Sequence, residues 1–123
     1  MRQAEIKRTT KETDITIVLN LDGAGKYTIN TGIPFFDHML SSFSKHSNID
    51  LDIKIKGDIE IDYHHTIEDT GIALGEALYK SLGNKKGIVR FSDSIIPLDE
   101  ALSRVVLDIS GRPYLHFGVE FSR

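Results

Sequence analysis

Residues 15–23 read Ile-Thr-Ile-Val-Leu-Asn-Leu-Asp-Gly, and residues 103–111 read Ser-Arg-Val-Val-Leu-Asp-Ile-Ser-Gly. In the first stretch Ile15, Ile17, Leu19 and Leu21 alternate with Thr16, Val18 and Asn20. That is the period-two pattern of a half-buried strand, and Asp22-Gly23 ends it in a turn. At an offset of 88 positions, Val18-Leu19 matches Val106-Leu107, Gly23 matches Gly111, Arg2 matches Arg90 and Glu12 matches Glu100. Ile17 and Leu21 also meet apolar counterparts in Val105 and Ile109. Five identities at one offset point to a duplicated unit; two hairpins that share β-propensity and turn chemistry are the competing explanation.

Working outward, residues 3–10 and Lys26 to Asn30 are weaker strand candidates, so the chain is expected to open with a three-stranded meander. Pro34 suits the first turn of a helix, and Phe35, Phe36, Met39, Leu40 and Phe43 follow at helical spacing, to an end near Ser47-Asn48. Leu51, Ile53 and Ile55 alternate with Asp52, Lys54 and Lys56, giving a strand with one wet face closed by Gly57. From about His64 to Leu82, the positions Ile67, Leu74, Leu78 and Leu82 mark a second helix stopped at Gly83-Asn84. The repeating unit is therefore β-β-β-α-β-α, complete over residues 1–87. Residues 88–123 repeat its strands and stop before either helix. Counterparts of His38 and of His64-His65 would fall past residue 123, so a truncated chain is the expectation.

A chain of 123 residues with 40% hydrophobic content buries one modest core. Its net charge of −3 provides no basic footprint, so neither nucleic acid nor a membrane surface is expected as a partner. With no cysteine, any metal must be held by nitrogen and oxygen. The opening residues Met1-Arg2-Gln3-Ala4-Glu5 run into charge without an apolar leader, and a cytoplasmic location is expected.

Four of the five histidines lie between positions 38 and 65, in two segments that read as helical. In Asp62-Tyr63-His64-His65-Thr66-Ile67-Glu68-Asp69, neighbours three and four apart share a face, so Glu68 can join a metal held by His64 or by His65. Adjacent histidines diverge by about 100° around a helix, which favours two ions over one. His38 and His46 stand roughly 12 Å apart along their helix and cannot share an ion. His38, His64, His65 and Glu68 are the candidate ligands, and His46 is a substrate contact or a surface residue. Nitrogen and carboxylate donors suit several divalent metals, manganese among them, although a purely structural metal is an alternative. Asp62 and Asp69 are placed to accept protons from ligand imidazoles, with an N-cap as the plainer role for Asp62; Asp37 carries the same ambiguity. His116, on a late strand, reads as a surface or capped residue. Arg90 and Arg112 form a possible phosphate clamp, though most arginines are solvated surface residues, and Glu12 is unremarkable alone.

Taken together, Thr31-Gly32-Ile33-Pro34-Phe35-Phe36-Asp37-His38-Met39-Leu40, Gly57-Asp58, His64-His65-Thr66-Ile67-Glu68-Asp69 and Pro97-Leu98-Asp99-Glu100-Ala101 resemble the imidazoleglycerol-phosphate dehydratase family over the whole chain. The resemblance implies an α+β fold similar to the second domain of ribosomal protein S5. There, duplicated β-β-β-α-β-α units pack their helices on one face of a mostly antiparallel sheet; the second copy is incomplete here. It implies a lyase of histidine biosynthesis that converts imidazole glycerol phosphate to imidazole acetol phosphate with two Mn2+ ions per active site. It also implies self-association into a large homo-oligomer, about a 24-mer. Metal ligation falls on His38, His64, His65 and Glu68. Substrate contact falls on these four and on Glu12, His46, Arg90 and Arg112, with proton transfer expected at Glu12 and His46. The family's second histidine-rich segment has no match in these residues, so the chain alone is expected to be an inactive metal-binding or assembly fragment unless the remaining ligands are supplied.

Overall fold

Alternation along β2 (Thr13–Asn20) buries Thr13, Ile15, Ile17 and Leu19 on one side and leaves Asp14 exposed on the other. The preceding strand, β1 (Gln3–Thr9), pairs with it antiparallel and sets Ile6 opposite Ile17 and Ala4 opposite Leu19. The computed structural model describes residues 1–122. The later elements are β3 (Tyr27–Asn30), α1 (Pro34–Ser47), β4 (Asp50–Gly57), α2 (His64–Leu82), β5 (Phe91–Leu98) and β6 (Ala101–Asp108). The chain divides into one unit ending at Asn84 and another beginning at Lys85.

In the first unit the strand order is β1-β2-β4-β3. The expected meander does not form: β4 lies between β2 and β3, antiparallel to the former and parallel to the latter. The cause is visible in the turn after β2. The Asp50 carboxylate accepts N–H groups from Ala24 at 2.9 Å and Lys26 at 2.7 Å, and the Leu51 N–H reaches the Lys26 carbonyl at 2.9 Å. The turn is thereby tied to the start of β4 instead of folding back along β2. Parallel neighbours need a crossover, usually a helix, and α1 is that crossover between β3 and β4.

Both helices cover the same side of this sheet, α2 across β1, β2 and β4 and α1 across β3 and β4. Leu40 of α1 and Ala73 and Ala77 of α2 join Ile6, Ile15, Ile17, Leu19, Leu51 and Ile53 in one core. Pro34 opens α1, and the Asp37 carboxylate accepts both the N–H and the hydroxyl of Thr31, at 2.9 and 2.5 Å, which pins the turn before the helix. Asp37 thus ties the first turn of α1 to the preceding turn and is not its N-cap, which is Ile33.

The buried stripe of α2 differs from the one its large apolar residues mark. Thr66, Thr70, Ala73, Ala77 and Ser81 are buried, whereas Ile67 and Leu78 remain 45% and 38% exposed. Isoleucines and leucines of the sheet already fill the layer, so only small side chains fit beneath the helix axis. A Cβ on Gly57 would collide with the Thr66 hydroxyl, which shows how closely the first turn of α2 lies on β4. Among the described residues no helix is long and apolar enough to cross a membrane.

The second unit is built on the β5–β6 hairpin, with Phe91 opposite Asp108 and Leu98 opposite Ala101. The positions are those of β1 and β2 shifted by 88, since Gln3 faces Asn20. The closing backbone bonds correspond too: Leu21 N–H to Arg2 at 2.9 Å and Ile109 N–H to Arg90 at 3.0 Å. Residues 109–122 contain no helix or strand, so His116 does not lie on the expected late strand. In the first unit the corresponding strand, β3, obtains its ladder from β4, and the described residues after β6 include no such partner.

Candidate functional site

Three backbone segments meet where β4 hands over to α2. The Asp58 N–H donates to the Glu12 carbonyl at 3.1 Å, joining the β4 exit to the turn between β1 and β2. The Thr13 hydroxyl donates to Asp69 at 2.5 Å, joining that turn to the first turns of α2, and Arg8 stands 3.8 Å from the other Asp69 oxygen. The Asp62 carboxylate accepts the His64 N–H at 2.7 Å, capping the helix start.

On this frame each adjacent histidine has its own carboxylate. His64 Nε2 lies 2.7 Å from Glu68 Oε2, one helical turn on, and His65 Nδ1 lies 2.8 Å from Asp58 Oδ2. The two rings meet edge to face, with centroids 5.4 Å apart and planes 77° apart. The hydrogen bond to Asp58 raises the pKa of His65 above its ordinary value; desolvation opposes this, and the charges of Asp58, Glu12 and Asp62 add to it. An open cleft of about 290 Å³ runs alongside, edged by Lys11, Glu12, Lys56, Asp58 and Glu60. A second cleft, near 270 Å³, lies elsewhere around Val18, Tyr27 and Asp52, and neither cleft has a histidine in its wall.

The structure therefore brings Glu12, His64, His65 and Glu68 into one neighbourhood. His38 and His46 are exposed on α1, and neither makes a hydrogen bond or ion pair among the described residues. Arg90 and Arg112 belong to the second unit. There Arg90 grips Asp108 through Nε at 2.6 Å and Nη2 at 3.2 Å, and its guanidinium lies 4.8 Å from the Phe91 ring centre. The Arg112 N–H bonds the Ser110 hydroxyl at 3.1 Å.

Two expected roles change. Asp69 serves Thr13 and Arg8, and Asp62 serves the helix start, so neither accepts a proton from a ligand ring. That position belongs to Asp58, which helical spacing could not reveal, because it precedes the helix and reaches His65 through the fold. The one available signal was Gly57-Asp58 closing an alternating strand just ahead of the paired histidines.

As a metal centre the donor chemistry fits: imidazole nitrogen and carboxylate oxygen without sulfur, with His65 Nε2 left open by the bond at Nδ1. Among the described residues, however, no three histidine, cysteine, aspartate or glutamate side chains converge tightly enough to hold an ion.

Residues 31–123 match the family model described as imidazoleglycerol-phosphate dehydratase. A relative of that name from Gluconacetobacter diazotrophicus is 61% identical over 122 residues, covering 99% of this chain and 62% of the relative. One from Dechloromonas aromatica is 60% identical over 123 residues, covering 100% of this chain and 63% of the relative. The crystal structure of imidazoleglycerol-phosphate dehydratase from Staphylococcus aureus superposes with a TM-score of 0.84 at 40% identity, over 98% of this chain and 66% of that one. The chain thus spans slightly less than two thirds of the length of these relatives.

Proposed function

The chain belongs to the imidazoleglycerol-phosphate dehydratase family, and from that premise we propose that it takes part in dehydrating imidazole glycerol phosphate to imidazole acetol phosphate in histidine biosynthesis. The observation that carries this reading is the start of α2: adjacent histidines, each on its own carboxylate and with ring planes 77° apart, beside a cleft edged by Glu12. Dehydration here is difficult because the hydrogen next to the departing hydroxyl is not acidic, so the imidazole ring has to release electrons while hydroxide leaves. Two Mn2+ ions, when bound, supply the Lewis acidity that stabilises an electron-rich ring.

His64 with Glu68, His65, and His38 are the residues of this chain that would hold those ions. Further ligands come from outside the convergent pairs, and self-association into a homo-oligomer is part of the proposal. Glu12, exposed at the cleft, moves the side-chain proton, with His46 as its helper. Arg90 and Arg112 hold the phosphate; to do so Arg90 exchanges the Asp108 carboxylate for phosphate oxygens, an anion of similar forked geometry.

The test is turnover of imidazole glycerol phosphate by the intact protein supplied with Mn2+. Glu12→Gln is expected to lower kcat about 10²–10⁴-fold with little change in KM, as removal of a proton-transfer group does. Full turnover in this variant removes Glu12 from the proposal, and no turnover in the unsubstituted protein removes the reaction itself. A second reading is a metal-binding or assembly fragment without catalysis, since no three ligand side chains converge among the described residues. It predicts no product formed, whatever Mn2+ the intact protein takes up.

A further inference from the structure

The two histidine–carboxylate pairs are of different kinds. Glu68 meets His64 at Nε2, the outer nitrogen of the ring, where a carboxylate can share an ion with the imidazole. Asp58 meets His65 at Nδ1 and leaves the outer nitrogen open. Asp58 is also the better anchored of the two carboxylates. Its N–H donates to Glu12 at 3.1 Å, its carbonyl accepts from Ile61 at 2.9 Å, and its side chain is 14% exposed against 55% for Glu68.

We propose that Asp58 is the positioning residue for His65, fixing its ring as the Nδ1–H tautomer so that Nε2 alone faces a metal ion. An ionised carboxylate only accepts, so the proton of the neutral ring must sit on Nδ1 and the lone pair on Nε2. Partners of this kind orient ligand imidazoles and raise their basicity. The remaining Asp58 oxygen, Oδ1, is buried without a hydrogen-bond partner. Among the described residues the carboxylate therefore has His65 as its single side-chain partner. The tautomer claim stands on geometry alone, whereas its consequence for metal rests on reading His65 as a ligand in the proposed function.

The experiment uses the intact protein. With metal removed and the ring neutral, ¹⁵N shifts of His65 are expected to report a protonated Nδ1. Asp58→Ala is expected to erase that preference and weaken Mn2+ binding, measured by titration with Mn2+ alone, by about 10–100-fold. Asp58→Asn keeps an acceptor oxygen and is expected to retain the tautomer, with intermediate affinity. An Nε2–H tautomer in the unsubstituted protein, or an unchanged tautomer in Asp58→Ala, overturns the positioning role whatever the enzyme catalyses. A lost tautomer with unchanged Mn2+ affinity overturns His65 as a ligand and leaves the hydrogen bond standing. Should Asp58→Ala fail to fold, the tautomer of the unsubstituted protein and the Asp58→Asn comparison decide the matter.

Discussion

The β1–β2 and β5–β6 hairpins share a register and a closing backbone bond at an offset of 88, yet they lead different lives. In the first, Ile6, Ile15, Ile17 and Leu19 are at most 2% exposed, under α2 and beside β4. In the second, Val105 and Leu107, the counterparts of Ile17 and Leu19, are 51% and 52% exposed. Pairing follows from local sequence, and burial depends on what else is present. The second hairpin also carries apolar residues on both faces: Ile96, Leu98, Val105 and Leu107 on one, Ile95, Leu102 and Val106 on the other. The first keeps Glu5, Lys7, Asp14 and Thr16 on its open side. Strands apolar on both faces belong inside a layered structure, whereas alternating strands belong at its surface.

The sharpest way to break this comparison is one substitution at two equivalent leucines. Leu19→Ala removes a buried side chain and is expected to cost about 2–5 kcal/mol in denaturant unfolding. Leu107→Ala, at the matching position, is expected to stay within about 0.5 kcal/mol. Equal losses would mean that the second hairpin is as covered as the first.

A smaller effect tests whether α2 is what protects β1 and β2. Gly57→Ala forces a Cβ against the Thr66 hydroxyl and is expected to cost about 1–3 kcal/mol. Amide exchange in β1 and β2 should accelerate toward the rates of β5 and β6, which among the described residues form a two-stranded sheet and are expected to be poorly protected. Unchanged exchange in the first hairpin would remove α2 from the explanation.

The smallest effect concerns an ion pair that each hairpin makes through its equivalent arginine, although with aspartates at different positions. Arg2 binds Asp22 and Arg90 binds Asp108, and in each pair the guanidinium hydrogen bond holds the aspartate below its ordinary 3.8. A lowered folded value means that the contribution is fully present above the ordinary aspartate value and is lost as pH falls through the folded one. NMR titration is expected to place both aspartate midpoints below 3.8. Asp22→Asn and Asp108→Asn should each abolish their own local acid response. A displacement in one hairpin alone would show that even the shared features depend on cover.

Much of the fold was legible along the chain because it depends on near neighbours. Both helix spans follow from Pro34, from the helical spacing after it and from Gly83; β2 and β4 follow from strict alternation. The position of β4 between β2 and β3 was missed, because Asp50 reaches back to Ala24 and Lys26 across a separation that no periodicity records. Of the large apolar positions that marked α2, Leu74 packs on the core while Ile67 and Leu78 stay exposed, and the volume of Ile15, Ile17 and Ile53 beneath the helix makes Thr66, Ala73 and Ala77 the residues that fit. At the candidate site, the pairing of Glu68 with His64 is a helical-neighbour effect and could be anticipated. Asp58 could not, since its approach to His65 depends on the β4 exit being tied to the Glu12 turn.

The sequence by itself determined the elements, the duplicated hairpin register and the residue types able to bind metal, since each depends on chemistry repeated over a few positions. Only the tertiary structure decided which carboxylate holds His65, which face of α2 is buried and which of two equivalent hairpins is covered. Those outcomes are set by how volumes fill one layer and by which backbone groups are close enough to bond, quantities that exist only once distant segments meet.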